Sequence, residues 1–332
     1  MNKRIVRIVN YILIIIIAVI PLCGCSLMSQ QYHYGFIDKT GKFIIEPTYS
    51  RALNFNEGLA GVFQGDVQYG KWGFIDLNGN MIINLEYDMV RGFYEGLSPV
   101  RKGNEKGGVW TFIDKKGNKV ISKEFKDASI FVKGLAPVKF PEEGKYGYIN
   151  PEGKTVIAPV FDIASIFSEG LAVYGVGDME NASAGFINRN GEIVIEAKYG
   201  YCGSFSEGMT PVKISRDENK ADWGFMDNTG KIVIEPKYAW ASGFKEGLAP
   251  VKIGSTNDGK WGYINKDGDI VIEAKFGYAL SFSEGLAAVL DGDLDTGKWG
   301  YIDTKGQFII EPKFNAAGGF TQGLAPASVE VK

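Results

Sequence analysis

The chain has 332 residues, 45% of them hydrophobic and 23% charged, with a net charge of −3. A slightly acidic chain is a poor partner for nucleic acid, whose phosphates require a basic surface. His33 is the only histidine, so a His/Cys zinc site is excluded by counting. A Ser-His-Asp or Cys-His catalytic arrangement would have to be built on His33.

Residues 1–24 read as a targeting segment. Lys3, Arg4 and Arg7 form a short basic region, and residues 11–22 follow as an apolar stretch containing four consecutive isoleucines, 14–17. Next comes Leu22-Cys23-Gly24-Cys25. This run resembles the bacterial lipoprotein signal, in which a Leu three residues and a small residue one residue ahead of a Cys mark the cleavage site. Gly24 supplies the small residue, and Cys23 does not qualify because Leu22 precedes it. The resemblance implies that Cys25 becomes the first residue of the mature chain and takes a diacylglycerol, each buried methylene adding ~0.8 kcal/mol of membrane affinity. The alternatives are simple secretion and an uncleaved anchor. The charge-free stretch 9–30 just reaches the length of about 20 residues that a bilayer span needs. All three readings place the rest of the chain outside the cytoplasm, and the lipoprotein reading ties it to a bacterial cell membrane. Loss of residues 1–24 removes three cations and no acid, taking the net charge from −3 to −6. The mature chain then keeps only Cys25 and Cys202, so no disulfide framework forms, and Cys202 reads as a small buried hydrophobe. Residues 25–31 read as a short polar tether.

From residue 32 to 332 the sequence repeats itself eight times. Each copy opens with an aromatic–Gly–aromatic strand whose glycine is Gly35, Gly73, Gly147, Gly185, Gly224, Gly262 or Gly300, with Thr111 in the third copy. Successive intervals are 38, 38, 36, 38, 39, 38 and 38 residues, a period that marks an array of supersecondary units. The seventh copy shows the elements in order. Trp261-Gly262-Tyr263-Ile264 suits a pleated strand. Asn265-Lys266-Asp267-Gly268 is a turn opened by an Asx side chain and closed by a left-handed glycine, and all eight copies carry it. A second strand, residues 270–276, carries proline at its fifth position in other copies (Pro47, Pro159, Pro236, Pro312), as expected of a strand end, an edge or a bulge. A short third segment leads to Ser283-Glu284-Gly285, and the Leu-Ala run after it reads as one more strand. Each unit is thus three or four short antiparallel strands, and the fold class is all-β.

The aromatic ahead of the first glycine is Tyr34, Trp72, Trp110, Tyr146, Ala184, Trp223, Trp261 and Trp299. A row of sugar-stacking rings is one reading. The other is a plug between neighbouring units, worth up to ~4–6 kcal/mol per buried Trp. Recurrence in register favours the plug, for these rings and for the series Phe55, Phe93, Phe131, Phe167, Phe205, Phe244, Phe282 and Phe320. Ala184 is expected to mark the weakest joint.

These residues resemble the WG-repeat (KWG-repeat) family of bacterial proteins, through Lys71-Trp72-Gly73, Lys260-Trp261-Gly262, Lys298-Trp299-Gly300 and the recurrent Gly-Leu-Ala segment. The resemblance covers residues 32–328. It implies repeat architecture and transfers no catalytic or binding residue. Two arrangements fit, a closed β-propeller-like ring and an open β-solenoid. The chain begins on a Trp-Gly-type strand and ends on a Leu-Ala-Pro strand, and these complementary overhangs tilt the reading towards the ring.

Carboxylates recur at Glu46, Glu196, Glu235, Glu273 and Glu311, and at Glu57, Glu95, Glu169, Glu207, Glu246 and Glu284. A glycosidase needs two unlike acids in one pocket, whereas periodic acids do one job many times, a turn or strand-edge bond. Asp291, Asp293 and Asp295 alternate ahead of Gly297, a spacing at which oxygen donors can wrap Ca²⁺. The glycine falls one place late for an EF-hand, however, and Ile302 stands where the bidentate Glu belongs, so an acidic hairpin loop is the competing reading. Loops 177–183, 215–222 and 254–259 share that corner and differ in length and chemistry. Variable tips on a uniform scaffold are where recognition sits. The expectation is therefore a non-catalytic binding or scaffolding lipoprotein whose partner is a protein or a cell-envelope polysaccharide. Trp240, outside the periodic set, is the candidate exposed ring. A structural spacer and an envelope hydrolase are the rivals.

Overall fold

The computed structural model describes residues 32–104, 107–178 and 181–330. They form eight four-stranded antiparallel sheets, and among the described residues there is no helix. Each sheet packs against the next around a closed ring, an eight-bladed β-propeller. The ring is the arrangement present, and the open β-solenoid is not. The expected signal segment 1–24, the candidate lipidation site Cys25 and the expected tether lie outside the described residues.

Blade two shows the plan. It runs Arg51–Ala52, Leu59–Gln64, Lys71–Asp76 and Met81–Tyr87, in the same order in space as along the chain. The two middle strands are buried along most of their length. The seven-residue last strand is exposed at five positions. Blades converge at the hub and splay at the rim, so this gradient sets the two-residue strand at the hub and the long one at the rim.

The repeat seen in the sequence is not the blade. Its Trp-Gly strand and the strand after it are the third and rim strands of one blade, and its last two strands open the next blade. Every repeat therefore crosses a seam. Blade one is built from both chain ends, with Phe43–Tyr49 and Tyr32–Ile37 beside Ala325–Glu330 and Ala316–Ala317. Tyr32 pairs with Glu330 and the register runs unbroken to Ile37 with Ala325.

The same contacts recur at each seam. The second ring of every Trp-Gly strand meets the phenylalanine ahead of the next blade's Glu-Gly turn. From Phe36–Phe55 to Tyr301–Phe320 the centroids lie 4.6–5.0 Å apart. Such pairs add about 0.5–1.5 kcal/mol beyond the area they bury. The turn glycine between third and rim strands also serves the seam. Its φ of +76° to +86° is left-handed, as the Asx turn requires. Its missing Cβ also leaves room for an isoleucine of the preceding blade, Ile121 against Gly153 and, closing the circle, Ile310 against Gly41. A Cβ at either of those glycines would lie 2.7 Å from the isoleucine Cγ2.

In the seven repeats that have it, the first glycine faces a bulge in the rim strand. In blade two, Trp72 pairs with Tyr87 but Phe74 with Ile83, and a Cβ on Gly73 would sit 2.5 Å from the Ile83 carbonyl oxygen. Pro47, Pro159, Pro236 and Pro312 lie in these bulged rim strands, so the expectation of an edge and that of a bulge are both met. Trp72, Trp110, Trp223, Trp261 and Trp299 are only 3–8% exposed, which makes them plugs and not a sugar-stacking row. Ala184 is half-buried among Val173, Phe186 and Tyr199.

Candidate functional site

The two ends of the ring differ in kind. One end carries the Glu-Gly turns and the Asx hairpins. The other carries the loops between second and third strands, together with both chain ends.

At the first end the recurrent glutamates are latches. Glu57, Glu95, Lys133, Glu169, Glu207, Glu246, Glu284 and Gln322 all have φ between 50° and 56°. This is a left-handed conformation costly for residues with a side chain, here imposed at both central positions of a tight turn. The strained turn aims each carboxylate at the next blade. Glu57 accepts the amides of Glu95 at 2.7 Å and Gly96 at 3.0 Å, and Glu169 those of Glu207 at 2.6 Å and Gly208 at 2.9 Å. Gln322 closes the circle by accepting the Gly58 amide at 2.9 Å. Cations from neighbouring hairpins complete the set, as with Lys115 on Glu57 at 3.1 Å and Lys266 on Glu207 at 3.2 Å. Partial burial opposes the charge of Glu57 and Glu207. The ammonium groups and amides outweigh it and hold both carboxyls below their usual range. The acids of the Glu57 series thus do one bond many times, but the bond crosses the seam instead of staying within the turn, whereas Glu46, Glu196, Glu235, Glu273 and Glu311 lie exposed on the rim strands.

One latch is missing. Lys133 occupies the position in blade four, and an ammonium has no acceptor to offer the Gly170 amide. Arg189 already reaches the Lys133 carbonyl, just as Lys115 reaches that of Glu57. Lys133→Glu is therefore expected to raise stability by about 1 kcal/mol, through charge-assisted bonds to blade five and to Arg189. The urea midpoint at unchanged slope is the check, and a lower midpoint would count against the latch.

At the other end, five of the seven tips share one frame. Gly65, Gly103, Gly177, Gly254 and Gly292 open them with φ between 95° and 106°. The next residue is an Asx or Ser cap, and its carbonyl accepts the amide four residues further on, where the chain turns back. Asp66 accepts the amides of Gln68 and Tyr69, each at 2.8 Å, and Asp293 those of Asp295 at 3.0 Å and Thr296 at 2.8 Å. Asp88 and Asp162, on the turns between blades, hold the first glycines of the tips in blades three and five. The frame is thus more uniform than the sequence suggested, while the residues riding on it stay unlike one another. Tip 215–222 departs most. There Lys213, whose side chain is 4% exposed, is paired with Asp222 and bonded to the Lys220 carbonyl, and Asp222 accepts the Ser215 amide at 2.9 Å.

Two of the site candidates change. Asp291, Asp293 and Asp295 do not form a metal cage, and among the described residues no three His, Cys, Asp or Glu side chains converge on a metal site. The reason is local, since Asp293 Oδ1 is turned inward to cap its own loop, including the Thr296 hydroxyl at 2.8 Å. Trp240 is not an open platform, because it packs on Trp223 with centroids 4.9 Å apart and touches the cores on both sides of its seam. It also occupies a repeating place, the start of a hub strand. Cys202 lies on the equivalent strand of blade six, where burial pushes its thiol well above the usual range. His33 lies half-buried in the closing sheet, opposite Val329. The sequence reading passed over tip 65–70, where Val67 is 81% and Tyr69 73% exposed. The spacing Gly-x-x-x-x-Gly, shared by 65–70, 103–108, 254–259 and 292–297, was the available signal.

The fold has solved counterparts. The β-propeller domain of the Trilobed protease from Pyrococcus furiosus matches with a TM-score of 0.51 at 12% identity, over 85% of this chain and 99% of that one. Prolyl oligopeptidase B from Galerina marginata matches with a TM-score of 0.55 at 10% identity, over 86% of this chain and 51% of its own, so this chain spans about half of that enzyme. At such identities the likeness speaks for the fold alone. No curated protein matches the sequence. The description "WG containing repeat" matches eight times, at residues 34–67, 72–105, 110–145, 146–178, 185–215, 223–256, 261–294 and 299–330. With nearly all of the propeller accounted for by these matches, the chain belongs to the WG-repeat family.

Proposed function

We propose that this protein is a membrane-anchored lipoprotein whose WG-repeat propeller is a non-catalytic scaffold. It displays the tips of one face to a protein or polysaccharide of the cell envelope, outside the cytoplasm. The contrast between the two ends carries this reading. At the latched end the same residues repeat and are consumed in holding blades together. At the tip end one backbone frame carries unlike side chains, such as Ser255-Thr256-Asn257-Asp258 and Asp293-Leu294-Asp295-Thr296. Uniform support beneath varied, exposed residues is the arrangement of a recognition surface. The engagement of Glu57, Glu169 and Glu207 in seams counts against a hydrolase built on the periodic acids.

Two measurements test it. Cys25→Ser is expected to move the chain from the detergent phase to the aqueous phase, and persistence in detergent would defeat the anchor. With the anchored chain as bait, replacing 255–258 and 217–220 by Gly-Ser stretches is expected to abolish partner capture, while the same change at hairpin 77–78 of the latched end leaves it intact. Equal capture by all variants would favour a spacer.

A further inference from the structure

The chain ends and the most exposed apolar tip share one side of the molecule. Tyr32, the first described residue, opens the third strand of blade one at the tip end of the ring. Blade two is its neighbour, and its tip 65–70 carries Val67 and Tyr69. The tip presents them on a closed, rigid neck. A Cβ on Gly65 would lie 2.8 Å from the Gly70 Cα, and the Asp66 cap ties down the amides of Gln68 and Tyr69. Their exposure is therefore built into the loop. Leu294, on the tip of blade eight, is also exposed, but Asp293 and Asp295 flank it.

We infer that the Val67–Tyr69 tip docks on the lipid bilayer beside the tether, fixing the propeller with its tip end towards the membrane and blade two lowermost. The inference rests on the lipid anchor at Cys25 proposed above. The length of chain outside the described residues selects the occupant. From Cys25 to Tyr32 there are seven residue steps, which reach at most about 25 Å when fully extended. A folded chain of this length is roughly 50 Å across, so the tip end cannot be held far from the lipid. An amphipathic aromatic ring next to an aliphatic side chain suits the interfacial zone. Blade six lies opposite blade two in the ring of eight, so contact at tip 65–70 holds its tip, where Asp217 and Glu218 are exposed, away from the lipid and open to the partner.

The test uses the full-length protein, purified from membranes and reconstituted into phosphatidylethanolamine–phosphatidylglycerol vesicles that contain doxyl-labelled lipid. Single cysteines carry a fluorophore at Gln68 on the tip, at Ile44 on the rim of blade one, or at Asn78 on the latched end of blade two. Cys202 is replaced by serine in each background, and the chain without an added cysteine serves as the blank. Quenching at position 68 is expected to exceed that at 44 and 78 several-fold, and V67D/Y69D in the Gln68→Cys background should lower it several-fold. Strongest quenching at 44 or 78, or equal quenching at all three sites on vesicle-bound protein, would overturn the docking while leaving the anchor standing. A chain that does not float with the vesicles would remove the anchor and the docking together.

Discussion

Deleting residues 325–332 is expected to destroy the cooperative fold, although it removes only one strand from the far end of the chain. In an open array that loss would cost the last unit alone. In the ring, Ala325–Glu330 is a middle strand of blade one, paired along its length with Tyr32–Ile37. Its absence uncovers Tyr34, Phe36 and Ile37, which are 8%, 0% and 0% exposed. At ~1.5–3 kcal/mol for each large apolar side chain, these three place up to about 9 kcal/mol at risk, comparable with the whole stability of a typical domain. The Gly58–Gln322 latch and the contact of Ile310 with Gly41 loosen with them. Hydrogen exchange at residues 33–37 is the direct readout, with a thermal melt beside it. Retained protection there in the truncated chain would show that the ring does not depend on its closing strand.

Asp222→Asn is expected to cost about 3–5 kcal/mol, the usual penalty for removing one partner from a buried ion pair. The Lys213 and Asp222 side chains are 4% and 19% exposed, so the ammonium left behind keeps an amide oxygen and the Lys220 carbonyl but no counter-charge, and the asparagine NH2 is set against the Ser215 amide. Burial works against the charge on Asp222, but Lys213 and the Ser215 amide prevail and hold its carboxyl below the usual value. The sign of the pH effect follows. A depressed carboxyl stabilises the fold above its unfolded pKa, and that contribution disappears as pH falls through the folded value. Glu57, Glu207, Asp88 and Asp162 are displaced in the same direction. The unaltered protein should therefore lose stability below about pH 4, where ordinary carboxyls begin to protonate, and Asp222→Asn should flatten that acid limb. Denaturant midpoints between neutral and acid pH decide it. An unchanged slope in the variant would mean that the pair contributes nothing.

Much of the scaffold was legible because its signals are local and repeated. Turn glycines, edge prolines and in-register rings each follow from backbone geometry or burial, and eight copies separate such signals from chance. The second ring of each Trp-Gly strand was visible as a recurrent aromatic, but its partner was not, since nothing in spacing alone tells Phe74 to meet Phe93 across a seam. The latches were hidden for a related reason. A glutamate before a glycine looks like any turn residue until the left-handed φ of Glu57 directs its carboxylate at the amide of Gly96. The alternating carboxylates at 291, 293 and 295 left a metal loop and an acidic hairpin both open, because spacing says nothing about which way an Asx cap points.

By itself, then, the sequence determined that the chain is all-β, that it has eight like units, and that the recurring rings are interior. Only the tertiary structure decided where a blade begins, that the chain ends share one sheet, and that Val67 and Tyr69 stand exposed beside the point where the chain leaves the ring. The first group depends on contacts between residues a few positions apart, which periodicity records directly. The second depends on closure, which brings residues nearly three hundred positions apart into register, and no local pattern encodes a distance of that kind.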